Sequence, residues 1–185
     1  MAEERLPIAI LAAAGFAETT FTDTQKTLLA RGRKVKVVSP DSGLVQGWHD
    51  GAWGHHFMAD EDIAKALAAD YAGLILPDGK NSADTLQDNP HTKRLIAAFV
   101  DADQPVLVIG DAIRLLVPAD VAAARRVAGD PEIGDELTRA GANWEPGESI
   151  VVDGKLITAT VESSGAGRLE TFLDLIDGKT VQEAA

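Results

Sequence analysis

Asp111 stands where a buried strand gives way to a helix. Val106–Ile109 is a run of four apolar residues after Pro105, the pattern of a strand covered on both faces. Gly110, Asp111 and then Ala112-Ile113-Arg114-Leu115-Leu116 predict a tight turn into a helix that begins near Ala112. Such an elbow at the carboxyl edge of a parallel sheet exposes its central side chain above backbone amides, and enzymes place nucleophiles there. A carboxylate in that place can serve as nucleophile, base or fixed anion. As a nucleophile it needs a base to activate water, and the chain has four histidines, His49, His55, His56 and His91. His55 and His56 adjoin Trp53 and are the ones that could approach a pocket, in their own subunit or a neighbour's. His49, Asp50, His55 and His56 make a weak metal set. They read as surface or interface histidines, and neither a metal nor a cofactor is expected.

The elements that must hold this elbow alternate. Ile8–Ala12 is a buried strand ending in the turn Ala14-Gly15-Phe16, and a helix over Glu18–Ala30 follows, stopped by Gly32. Val35–Ser39 is the second strand, so the unit is a right-handed parallel crossover. Leu44–Phe57 carries three glycines and two tryptophans, Trp48 and Trp53, and reads as a hairpin leaving the sheet. Its aromatics fit an interface core as well as they fit packing on their own sheet. A short helix is predicted over Asp60–Ala69, a buried strand over Tyr71–Leu76 and a helix over His91–Ala102, with Thr85 or Asn89 as the capping residue. Past the elbow come a short strand or loop in 127–133 and a helix over Gly134–Ala140. Ile150–Val152 and Leu156–Thr160 flank Asp153-Gly154, a type I′ hairpin signal, and a last helix runs over Arg168–Ile176. The fold predicted is α/β, a three-layer sandwich on a mostly parallel sheet, one domain over 1–185 with a core of about 6–176 and a frayed tail over 177–185.

Composition narrows the partners. With 17 basic and 29 acidic residues the net charge is −12, and no basic stripe suits a nucleic acid or an anionic membrane. There is no cysteine, which removes disulfides, thiolate metal sites and a thiol nucleophile. The start MAEERLPIAILAAAG lacks the pattern of a secretory signal, and no apolar run reaches the ~18 residues of a membrane span. The expectation is a cytoplasmic protein.

The succession AILAAAGF, VKVVSPDSGLVQGW, AWGHHFMAD, DYAGLILPDG, QPVLVIGDAIRLL, AGANW and IVVDGKLITA resembles the ThiJ/PfpI superfamily, in particular its PfpI-type intracellular protease branch, over about residues 6–176. The resemblance implies a flavodoxin-like fold related to class I glutamine amidotransferases. It also implies homodimers or higher homo-oligomers, and activities of the peptidase, glyoxalase, deglycase or chaperone kind, with stress protection. The family elbow reads alanine-isoleucine-cysteine-histidine-glycine where this chain has Val108-Ile109-Gly110-Asp111-Ala112. The spacing to Leu115-Leu116 sets Asp111 at the cysteine and Ala112 at the histidine; a one-residue slip sets Gly110 at the cysteine and Asp111 at the histidine. Either way the thiol is lost. The family glutamate that bonds the thiolate falls at Thr20, with Glu18 at a second acidic position. The family's proline-glycine-glycine loop is Pro77-Asp78-Gly79, where Gly79 keeps an amide for an oxyanion and Asp78 adds negative charge. Asp84 lies near an acidic residue that PfpI-type proteins place across a subunit contact, and Pro131, Asn143 and Trp144 fall at pocket-rim positions.

Three readings follow from these departures. In one, the protein is a PfpI-like protein without catalysis, a stress-associated or ligand-binding oligomer with a decayed elbow. In another, Asp111 stands in for a cysteine oxidised to its sulfinate, which also carries one charge on two oxygens; Thr20 would donate to it, and Asp111→Asn would lose stability. In the third, a hydrolase or lyase uses Asp111 with a histidine of the aromatic hairpin. A histidine nitrogen within hydrogen-bond reach of Asp111 separates the third reading from the others.

Overall fold

A computed structural model describes residues 5–181. The elements in chain order are β1 (Ile8–Leu11), β2 (Phe16–Ala17), α1 (Glu18–Ala30), β3 (Val35–Ser39), β4 (Leu44–His49), β5 (Ala52–Met58), β6 (Glu61–Asp62), β7 (Gly73–Leu76), α2 (Lys80–Gln87), α3 (Pro90–Asp101), β8 (Val106–Ile109), β9 (Arg126–Val127), α4 (Pro131–Arg139), β10 (Asn143–Trp144), β11 (Ile150–Asp153), β12 (Leu156–Ala159) and α5 (Gly165–Ile176). Short 3-10 segments cover Ala68–Asp70 and Gly110–Leu116.

The central sheet has seven strands in the order β11-β12-β8-β7-β1-β3-β6, parallel throughout except for the β11–β12 pair. The middle strands are apolar at every position because both of their faces are covered. Ala9, Leu11, Leu74, Leu76, Val106 and Val108 point to the side packed by Leu95, Ile96 and Phe99 of α3. Ile8, Ile10, Ile75, Leu107, Ile109 and Ile157 point the other way, against Phe21 and Leu28 of α1 and Leu169 and Phe172 of α5. The predicted three-layer, mostly parallel α/β sandwich is the fold observed. β2, β4 and β5 form a separate sheet, and β9 pairs with β10. The parallel order sets the carboxyl ends of β1, β7 and β8 side by side, so the turns that follow them meet at one edge.

Several local expectations change. The helix over Asp60–Ala69 does not form: Glu61 and Asp62 join the sheet beside Val38 and Ser39. The aspartates hold backbone donors instead, Asp60 Oδ2 accepting from Val37 N at 2.7 Å and Asp62 Oδ1 from Ala64 N at 2.9 Å, the competition that makes Asp a poor helix interior. The elbow helix is 3-10 and starts at Gly110. Asn89 caps α3, accepting from His91 N at 2.9 Å, whereas α2 begins without a side-chain cap and had no signal in the sequence. In the β11–β12 hairpin the loop residues are Gly154 and Lys155, and only Gly154 (φ 60°) is left-handed, a type II′ pattern rather than I′. The I′ pair is Asp50-Gly51 (φ 47° and 78°), which closes the β4–β5 hairpin. The first residues of the expected tail are tied down: Asp177 pairs with the buried Arg33, and Val181 packs on the core. The remainder of that tail, 182–185, lies outside the described residues.

One central-strand glycine leaves no room for a side chain. A Cβ on Gly73 would lie 2.8 Å from Phe172 Cζ and 3.0 Å from the Pro105 carbonyl oxygen. Gly73→Ala is expected to cost about 1–3 kcal/mol by overpacking, read as a lower urea midpoint at unchanged m.

Candidate functional site at the strand elbow

Three turns build the site: Gly15-Phe16-Ala17 after β1, Pro77-Asp78-Gly79 after β7 and Gly110-Asp111 after β8. They are pressed together. Ala17 N donates to the Asp78 carbonyl at 2.7 Å. Gly79 (φ 139°) lies so close to the first turn that a Cβ there would come within 2.6 Å of Phe16 Cα. The left-handed residue of the elbow is Gly110 (φ 58°), not Asp111. A turn between a buried strand and a helix forces its central residue toward sparsely populated backbone angles; the residue that takes them here is Gly110, which meets them without steric cost.

A side chain on Gly110 would collide with a carboxylate. Its Cβ would lie 2.2 Å from Asp78 Oδ1 and 2.8 Å from Val161 Cγ2. Asp78 Oδ1 accepts the Asp111 amide N–H at 2.8 Å. The elbow amide thus holds an anion, and that anion comes from the neighbouring loop rather than from the elbow residue. Asp111's own carboxylate turns to Arg114, Oδ1 lying 3.5 Å from Nη2, with the side chain 29% exposed. Partial burial, and after it the charge of Asp78, raise the Asp111 carboxyl above the ordinary carboxylate range, while Arg114 and Lys80 pull it back.

Arg168, near the start of α5 and only 6% exposed, lies within electrostatic reach of Asp78. Its Nη1 donates to the Ser163 carbonyl at 3.3 Å and to Ser163 Oγ at 3.1 Å. Its Nε is buried without a hydrogen-bond partner. Burial lowers this guanidinium below its usual value, and the charges of Asp78 and Asp23 oppose that.

The other predicted site residues fall as follows. Thr20 is half-buried on α1 and its hydroxyl makes no hydrogen bond among the described residues, so the expected donation to Asp111 is not made. Ala112 is buried in the core. Asp84 is exposed on α2, with no ion pair among the described residues. Trp48 and Trp53 form a cross-strand, edge-to-face pair with centroids 5.2 Å apart. His49 lies 3.2 Å from Asp50 Oδ2 and 3.4 Å from Thr19 Oγ1. Among the described residues no histidine hydrogen-bonds Asp111 or Asp78, and no group of three or more His, Asp or Glu side chains is placed to hold a metal ion. No helix of the described chain is long and apolar enough to cross a membrane. Trp144, expected at the rim, donates its indole N–H to the Gly129 carbonyl at 3.0 Å and lines a cleft of about 310 Å³ with Asp130 and Pro131.

His55 instead serves Glu18. Its backbone N–H donates to Glu18 Oε2 at 2.9 Å and its Nδ1 lies 2.5 Å from Oε1. Glu18, 9% exposed, fills a slot left by two glycines of the hairpin: a Cβ on Gly54 would lie 1.9 Å, and one on Gly47 3.0 Å, from Glu18 Oε2. These bonds hold the Glu18 carboxyl below its ordinary value, the His55 side chain being the largest cause. The sequence reading missed this clasp, although Gly47 and Gly54 in an otherwise aromatic hairpin were its signal.

The family model described as DJ-1/PfpI family matches residues 7–173. An uncharacterized protein of Archaeoglobus fulgidus is 31% identical over 132 residues, covering 71% of this chain and 75% of that one. The protein named putative cysteine protease YraA of Bacillus subtilis is 28% identical over 153 residues, covering 82% and 87%. Protein/nucleic acid deglycase 2 of Escherichia coli is 27% identical over 153 residues, with the same coverage. Among solved structures, the ThiJ/PfpI domain protein of Brachyspira murdochii superposes with a TM-score of 0.82 at 20% identity, covering 94% of this chain and 96% of that one. That likeness is one of fold.

Asp111 and Glu18 have opposite titration signatures. The fold opposes ionisation of Asp111, so its penalty is absent below the unfolded value near 4 and grows as pH rises toward neutrality. Asp111→Asn is therefore expected to match or exceed wild-type stability at pH 7, with an advantage that vanishes near pH 3.5. The fold favours ionised Glu18, whose contribution is full above the unfolded value and is lost as pH falls through the folded one. Glu18→Gln should show a deficit at pH 7 that shrinks in acid. Thermal melts of both variants from pH 3.5 to 7 check the pair of signs.

Proposed function

The chain belongs to the DJ-1/PfpI family, and from that premise we propose that it is a non-catalytic member, a ligand-binding or stress-associated homo-oligomer whose elbow is filled by its own carboxylate. The observation that carries this reading is the 2.2 Å separation between Asp78 Oδ1 and the place of a Cβ on residue 110. Relatives bear the names putative cysteine protease and deglycase. Chemistry by a cysteine needs a thiolate, and these 185 residues contain no cysteine. The geometry favours the register in which Gly110 takes the place of the family cysteine and Asp111 that of the histidine, since Gly110 is the left-handed residue directly after β8. Asp111 lacks the histidine that the hydrolase reading calls for: among the described residues no histidine hydrogen-bonds it, and its carboxylate lies against Arg114 instead. Its ordinary role is that of a partly buried carboxyl beside an arginine.

The stress association draws on General stress protein 18 of Bacillus subtilis, 25% identical over 153 residues. The oligomer draws on the hairpin, where Leu44 is 57%, Trp53 55% and Met58 69% exposed on a chain whose other large apolar side chains are mostly buried. Exposed aromatics and methionine are the residue types that interface cores favour. In this reading the protein binds copies of itself, and a small molecule if any ligand, with no nucleic acid and no membrane.

Two outcomes are expected. Methylglyoxal and peptide substrates are turned over no faster than in buffer; turnover that disappears in Asp111→Ala would reject the non-catalytic reading. Light scattering at micromolar concentration gives at least a dimer mass, which Trp53→Lys lowers; a monomer in the wild type would reject the oligomer.

A further inference from the structure

We propose that the elbow is an anion cradle with Asp78 as its built-in ligand, and that a small monocarboxylate such as formate takes the same place once the Asp78 side chain is removed. Three observations converge. The Asp111 amide N–H is aimed at a carboxylate oxygen, 2.8 Å from Asp78 Oδ1. The oxygen occupies a volume that exists only because residue 110 has no side chain, bounded by Val161 Cγ2 on the far side. Arg168, 6% exposed and tied to Ser163, keeps a buried Nε–H without a hydrogen-bond partner and lies near enough to Asp78 to feel its charge.

The chain path explains why these parts share one place. Val161, which closes over Gly110, is two residues from Ser163, and Ser163 holds Arg168 through its carbonyl and its hydroxyl. Asp78 reaches the same place from β7, and its backbone carbonyl is fixed by Ala17 N. The loop and the segment after β12 thus converge on one oxygen. A hydrogen bond from an amide to a charged acceptor is among the strong ones, and a buried cation is retained only with a compensating anion. Removal of Asp78 leaves both the amide and Arg168 without that anion. The space left by the Asp78 carboxylate lies between Gly110 and Val161, and formate returns the one charge and two oxygens that were removed.

This inference builds on the reading of a filled, non-catalytic elbow, but its test is read on stability and is independent of turnover. Asp78→Gly is melted at pH 7 in sodium formate and in sodium chloride at equal ionic strength, beside the wild type. The expected result is a saturable, formate-specific rise in melting temperature of about 3–6 °C at roughly 100 mM, absent from the wild type because Asp78 holds the cradle. Asp78→Gly with Arg168→Gln is expected to lose the formate-specific part. If Asp78→Gly does not fold in chloride, refolding yield in formate against chloride replaces the melt, and restoration by formate alone supports the proposal. Equal behaviour of Asp78→Gly in the two salts, or a formate-specific rise of the same size in the wild type, overturns it. Turnover by the wild type would reject the non-catalytic reading and leave this comparison standing.

Discussion

The hydrogen bond from the Asp111 amide to the Asp78 carboxylate decides which residues can stand at the end of the central strand. Two atoms cannot share the space above residue 110. With a carboxylate oxygen there, residue 110 must lack a Cβ, and glycine also meets the left-handed backbone that the turn requires (φ 58°). The same oxygen sets the electrostatics around it. It lends Arg168 a counter-charge and makes ionisation of Asp111 less favourable. Asp78, Gly110, Asp111 and Arg168 are therefore linked, although they come from three different segments of the chain.

A second carboxylate is held in the same way. Glu18 enters a gap formed by Gly47 and Gly54 and accepts two hydrogen bonds from His55. At the elbow the inserted carboxylate takes the space above residue 110. At the hairpin it fixes the start of α1 to β5, and so fixes how Trp48, Trp53 and Met58 are displayed. The first clasp bears on what the site can bind and the second on how the outer surface is presented. Both combine a carboxylate, buried for Glu18 and partly buried for Asp78, with a backbone N–H donor and a glycine across from it, which lowers the cost of taking the charge out of water.

The sheet was legible because its strands are apolar at every position. Ile8, Leu74 and Val106 begin runs with one structural use, a strand covered on both faces, and α1 is bounded by the residues that its apolar spacing indicates. Local polar competition was less legible. Asp60 and Asp62 take backbone donors that a helix would need, and nothing in the spacing of ADEDIAKALAA reveals that choice. At the site, the resemblance brought Asp78, Gly79, Gly110 and Asp111 into consideration but left open which of two registers holds. What bears on that question is backbone geometry: φ at 110 and the reach of Asp78 are tertiary facts that the elbow sequence alone does not carry. The expected partnership of Asp111 with Thr20 failed for the same reason. The mimicry reading gave the anion to the elbow residue, whereas the fold supplies it from the β7 loop. Arg168 gave no signal because one arginine opening an amphipathic helix looks like a solvated one.

The central claim is that Asp78 occupies the place of a side chain at residue 110, and a cysteine introduced there tests it most directly. The rate of thiol alkylation by iodoacetamide at pH 7 is measured in folded Gly110→Cys and in Gly110→Cys with Asp78→Gly. A carboxylate against the sulfur disfavours the thiolate and blocks approach. The account predicts alkylation at least about tenfold faster in the double variant, the equivalent of roughly one unit of thiol pKa. Equal rates in the two variants would show that Asp78 does not hold that place and would contradict the account.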